Sequence, residues 1–219
     1  MSDELKEAAD YYCLLYSSSS YTTEWNNTKY GLMYGPIELW DISQIDNVEG
    51  LFEDYSGNPN VTGWDVSGVT SFKNMFGSAT SFNQDINSWD VSASTSFNEM
   101  FYEARSFNQN ISSWDVSAST SFVSMFYYAT SFNQDISSWD VSASRSFYGM
   151  FHYATSFNQD LCTWDIRHDA DTNYFCDNGA SCGNYSGKCS LEQTKNESNK
   201  NIHTSWYYLV FLIAYLLLL

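Results

Sequence analysis

From Leu39 to Asp165 the apolar positions of this chain recur at a fixed step longer than the period of any helix or strand. Trp-Asp-Val-Ser stands at Trp64, Trp89, Trp114 and Trp139 and Trp-Asp-Ile at Trp164, each 25 residues after the last, with Trp-Asp-Ile-Ser at Trp40 a further 24 residues before them. Met75-Phe76, Met100-Phe101, Met125-Phe126 and Met150-Phe151 keep the same step. So do Phe82, Phe107, Phe132 and Phe157, each followed four residues later by Ile86, Ile111, Ile136 or Leu161. A unit this short cannot enclose a core alone, but stacked copies let each apolar column run through the whole domain. The pattern therefore predicts a repeat solenoid.

Two periods coexist inside one unit. Phe-Asn-Gln-Asp-Ile followed by Ser-Trp-Asp-Val alternates apolar and polar positions, the period of a half-buried strand. Phe97, Met100, Phe101 and Ala104 fall at i, i+3, i+4 and i+7, one face of a helix. One short strand plus one short helix per 24–25-residue coil is the expected arrangement. The Trp column belongs in the core, because burying each indole removes about 200 Å² from water, worth roughly 5 kcal/mol as an upper value.

Composition changes the picture in one respect. The chain is 18% aromatic and carries 9 Lys+Arg against 26 Asp+Glu, a formal charge of −17. Such a surface repels nucleic acid and anionic headgroups, leaving cations, carbohydrate or basic protein as partners. Asp65, Asp90, Asp115, Asp140 and Asp165 form a column that would repel itself at coil spacing. Turn capping, with each carboxylate accepting bonds from the Asp-x-Ser turn, offsets that repulsion. A calcium ion held with a second column, Asp85, Asn110, Asp135 and Asp160, is the alternative.

Cys162, Cys176, Cys182 and Cys189 cluster late in the chain while Cys13 stands apart, which predicts two disulfides closing a C-terminal cap. Zinc fits poorly, since no Cys-x2-Cys knuckle occurs. Asn-x-Ser/Thr sequons at Asn26, Asn60, Asn110, Asn184 and Asn196 agree with a secretory route.

The units resemble the BspA-like leucine-rich-repeat surface proteins and their roughly 25-residue lipoprotein-type repeat, on the strength of Ser131–Ser142 (Ser-Phe-Asn-Gln-Asp-Ile-Ser-Ser-Trp-Asp-Val-Ser) and Met125–Thr130 (Met-Phe-Tyr-Tyr-Ala-Thr). The resemblance covers Leu39 to Asp165. It implies a leucine-rich-repeat-like solenoid, a surface or secreted location, and a role in adhesion or protein binding.

The expected organisation is an N-terminal capping or leader region at 1–38, solenoid repeats at 39–165, a cysteine-rich cap at 166–190, a polar linker at 191–205 and a hydrophobic tail at 206–219. Met1–Asp10 contain no apolar run fit for a signal peptide, so either secretion is not classical or, as the favoured expectation, the natural start lies elsewhere, upstream or mispredicted. Trp206–Leu219 are uncharged to the last residue. Fourteen helical residues reach about 21 Å, short of a ~30 Å hydrocarbon core, so either a retained membrane segment or a lipid-anchor signal with attachment at Asn196 is expected.

No catalytic residue and no cofactor site is assigned. His152, His168 and His203 stand near no nucleophile motif, and no phosphate loop or metal helix appears. What remains is a non-enzymatic cell-surface protein binding a protein or glycan through its solenoid, with Ser92, Ser117, Ser142, Thr95 and Thr120 as a regular outer lattice. A structural coat protein is the second reading, and an ice-facing lattice the third.

Overall fold

The computed structural model describes residues 7–9 and 36–182. Parallel bridges join Asn47 to Ser71, Ser71 to Ser96, Ser96 to Ser121, Ser121 to Ser146 and Ser146 to Asp171, and Asn158 to Ser181. Counting from these positions, coils 1 to 6 are residues 47–70, 71–95, 96–120, 121–145, 146–170 and 171–182. Each coil lies directly on the next in a constant register.

Four or five backbone bonds stitch each pair. Between coils 2 and 3, the N–H groups of Phe72, Asn74, Phe76 and Ser78 donate to the carbonyls of Ser96, Asn98, Met100 and Tyr102, and Thr120 N–H returns to Thr95 O. The residues in between close turns within the coil: Met75, Gly77 and Ala79 donate to Phe72, Asn74 and Phe76, three residues back. Every second N–H thus leaves the coil.

This alternation corrects the expected helix. Residues 98–103 are a run of turns, and the coils contain no α-helix among the described residues. Phe97, Met100, Phe101 and Ala104 are nonetheless all fully buried, so the period located the inward side chains but not the backbone that presents them. A helix would spend its N–H groups internally and, at roughly 10 Å in diameter, would force the coils apart. The phenyl columns stack at 5.5–5.9 Å and demand close coils on this side. The local sequence, rich in Ser, Asn, Phe and Tyr, also has little helix propensity.

The expected strand is corrected too. Residues 107–116 form no strand, and β-pairing is confined to the single bridges. Two Asx turns bend this side of coil 3: Asn110 Oδ1 accepts the N–H of Ser112, and Asp115 Oδ1 that of Ser117. A side-chain ladder replaces the backbone ladder here, with Asn108, Asn133 and Asn158 N–H donating to the Oδ1 of Asn83, Asn108 and Asn133 at 2.8–2.9 Å.

The turn run requires left-handed backbone twice per coil. Gly50, Asn74, Glu99, Ser124, Gly149 and Tyr174 form one such column, and Asp54, Ser78, Glu103, Tyr128, Tyr153 and Asn178 the other. A non-glycine residue there costs about 1 kcal/mol. In coils 1 to 4, and at Gly149, these residues send their N–H across to the next coil, as Glu99 does to Val123 O and Glu103 to Tyr127 O, and those bonds offset the strain.

One core runs the length of the stack, from Ile37 and Trp40 to Phe175 and Cys182, and buried Ala8 and Ala9 belong to it. The stacking extends past Asp165: Phe147 and Phe151 N–H donate to Asp171 O and Phe175 O. The cap therefore begins as a sixth coil in register, because Phe175 fills the column of Met75, Met100, Met125 and Met150.

Candidate binding surface

The Trp column is structural. Trp40, Trp64, Trp89, Trp114, Trp139 and Trp164 are at most 4% exposed. The indole N–H groups of the last five donate to the carbonyls of Ile37, Val61, Ile86, Ile111 and Ile136, one coil back, at 2.9–3.2 Å. Each Trp therefore satisfies its polar atom while filling the core.

The Asp column is accounted for within its own turns. Asp65, Asp90 and Asp115 Oδ1 each accept both the N–H and the hydroxyl of Ser67, Ser92 and Ser117, and Asp140 Oδ1 accepts the N–H of Ser142. The serine hydroxyl, then the backbone N–H, holds Asp65, Asp90, Asp115 and Asp140 below the usual carboxylate range. For Asp90 these bonds outweigh the opposing repulsion of Asp65 and Asp115. Asp165 is exposed in the same column. Among the described residues no three His, Cys, Asp or Glu side chains are grouped at one point.

The hydroxyls of the outer lattice are likewise bonded within the protein surface. Ser92 and Ser117 hydroxyls go to Asp90 and Asp115, and Thr95 and Thr120 hydroxyls donate to Thr70 O and Thr95 O. Of the sequons, Asn60 and Asn110 are exposed in Asx turns. Asn26, Asn184 and Asn196 lie outside the described residues, as do Cys13, Cys189, the linker and Trp206–Leu219. Cys176 is bonded to Cys182, and Cys162 is also disulfide-bonded. Among the described residues no helix is long and apolar enough to cross a membrane.

The feature that sequence reasoning missed is a second aromatic assembly outside the core. In the turn run, four outward columns change from coil to coil while the inward ones repeat. They read Glu49, Gly50, Glu53, Asp54 in coil 1 and Lys73, Asn74, Gly77, Ser78 in coil 2. In coil 3 they are Asn98, Glu99, Tyr102, Glu103, in coil 4 Val123, Ser124, Tyr127, Tyr128, in coil 5 Tyr148, Gly149, His152, Tyr153, and in coil 6 Asn173, Tyr174, Asp177, Asn178. From coil 3 onward they become aromatic. Comparing the repeats with one another, column by column, would have revealed it.

These rings touch along the stack. Tyr102 lies on Tyr127 and Tyr127 on His152, each with centroids 5.0 Å apart, and Tyr128 lies on Tyr153 at 4.3 Å. Tyr148 and Tyr174 meet edge to face at 5.5 Å and are the outermost, 41% and 56% exposed. His152 is buried under the assembly, its Nδ1 paired with Asp177 Oδ1. Burial first, and then neighbouring Glu103 or tyrosines, raises the hydroxyls of Tyr102, Tyr127 and Tyr128 above the usual phenol range, so all three stay neutral at physiological pH. Glu103 is bonded to Arg105 at 3.0 Å.

The profile of a family described as "Mycoplasma protein of unknown function, DUF285" matches residues 21–129 and again 95–187. The chain belongs to that family of repeat proteins. No curated protein and no solved structure matches it significantly.

Proposed function

We propose that this is a non-enzymatic, BspA-like protein of the cell surface, a leucine-rich-repeat-like solenoid that binds a macromolecular partner through the outward face of its turn run. The observation that carries the reading is the division of labour among the columns. Inward positions repeat because each must stack on its own copy, whereas the outward positions of 98–178 are released from that constraint and have gathered seven aromatic side chains on one face. Partly exposed aromatics in a contiguous patch are the side chains that anchor partners.

A surface location is supported by the disulfides at Cys176–Cys182 and Cys162, which persist in oxidising surroundings. Trp206–Leu219 would attach the protein to the membrane, as a cleaved lipid-anchor signal or a retained segment. A non-enzymatic role is favoured because Asp65, Asp90, Asp115 and Asp140 accept bonds within their own turns.

Antibody labelling of unpermeabilised cells, together with adhesion of those cells compared with a deletion strain, tests the reading. Labelling from outside and weaker adhesion on deletion are expected. A protein accessible only after permeabilisation would overturn the surface reading, and unchanged adhesion would overturn the binding reading.

A further inference from the structure

The class of partner can be drawn from the same face, resting on the binding reading above. The aromatic assembly is bordered by acids: Glu99 and Glu103 lie in coil 3, and Asp171 and Asp177 in coil 6. Between 36 and 182 the basic residues are Lys73, Arg105, Arg145 and Arg167. Arg105 is bonded to Glu103 and Arg167 to Asp169, so two of these four are already paired. With Glu103 offset by Arg105 and Asp177 facing His152, Glu99 and Asp171 leave the border of the face negative.

Ring geometry narrows the choice. The faces of Tyr102, Tyr127 and His152, and of Tyr128 and Tyr153, are turned toward one another within their columns, so the faces between stacked rings are already covered. Tyr148 and Tyr174 are more exposed but cross at 78°, so they form no extended coplanar platform for a run of sugar rings. A single guanidinium or ammonium needs only one ring and a nearby carboxylate. A second copy of the chain would bring like charge against like charge, and anionic surfaces are repelled for the same reason.

We propose that the face formed by Tyr102, Tyr127, Tyr128, Tyr148, Tyr153 and Tyr174 docks a basic polypeptide segment, with Tyr148 and Tyr174 receiving Arg or Lys side chains. Association is steered by the acidic rim and fixed by cation–π contact at these two rings. Replacing them leaves the net charge unchanged, which separates this docking from diffuse attraction of a polycation to an acidic protein.

The experiment uses the full chain and a fluorescent decapeptide of alternating Arg and Ser, read by anisotropy beside its citrulline counterpart and a neutral oligosaccharide series. The Arg peptide should bind at least tenfold more tightly than the citrulline peptide and weaken with salt. Y148A combined with Y174A should cost about tenfold in affinity, and Y148F with Y174F should restore it. Equal Arg-peptide affinity in the alanine variant, with melting unchanged, would overturn the proposal. So would oligosaccharide binding lost in that variant while the Arg peptide fails to bind, which would leave a binding face but assign it to glycan. Failure of the binding reading itself shows separately, in the adhesion of intact cells.

Discussion

The indole N–H of Trp114 donates to the carbonyl of Ile86, one coil earlier, at 3.0 Å. Through this bond each coil fastens its largest side chain to its predecessor, and a chain poor in leucine and isoleucine obtains a continuous core. Replacing Trp114 with Phe keeps an aromatic ring but removes the donor and part of the packed area. The expected cost is about 2 kcal/mol. Urea unfolding of the two proteins, compared at equal m-value, measures it.

The asparagine ladder makes a more local prediction. Asn108 Oδ1 accepts the N–H of Asn133 and a bond from the Gln134 amide, while Asn108 N–H donates to Asn83 Oδ1. Truncation by N108A leaves Asn133 N–H to water, because the position is exposed, so about 1 kcal/mol should be lost. Faster amide exchange at Asn133, with exchange in coil 1 unchanged, is the accompanying signature.

The repeat, the register and the buried set were legible in the sequence because stacking forces each inward residue onto its own copy. Phe97, Met100, Phe101 and Ala104 show where legibility ended: a helical period predicted their burial, yet the backbone is a turn run with Glu99 and Glu103 in the left-handed region. Inter-coil bonds pay for that conformation, and nothing in the local pattern of Ser, Asn and Glu announces them. The aromatic face was obscured differently. Tyr127, His152 and Tyr153 vary between repeats, and a reading built on constant columns passes over variable ones.

Left-handed positions are testable at Gly149, whose φ is +61° and where an added Cβ would meet Ser124 Oγ at 3.4 Å and Tyr127 Cδ2 at 3.5 Å. G149A should destabilise by about 1 kcal/mol, and G149N by less, since asparagine tolerates this region. Melting temperatures of the two variants rank them.

Acid sensitivity follows from the Asx turns. Asp65, Asp90, Asp115 and Asp140 have folded values below their unfolded value of about 3.9, through bonds from serine hydroxyls and then backbone N–H groups. Their contribution is complete above that unfolded value and is lost as pH falls through the folded ones. Stability should therefore be flat from neutrality to roughly pH 5 and decline below pH 4. Asparagine at these four positions keeps the acceptor and removes the titration, so the acid limb of a chemical-denaturation profile should become shallower. An unchanged limb would assign acid sensitivity to other groups.

The central claim is that constant columns build the stack and variable ones bind, and one comparison tests it most directly. Cells displaying the full chain are set beside cells displaying Y128S, Y153S and Y174S together, and their adhesion is measured alongside melting of the purified proteins. Melting should stay within about 3 °C, since these rings lie outside the core. Adhesion should fall to the level of the deletion strain. Undiminished adhesion by a folded, surface-displayed triple variant would contradict the account.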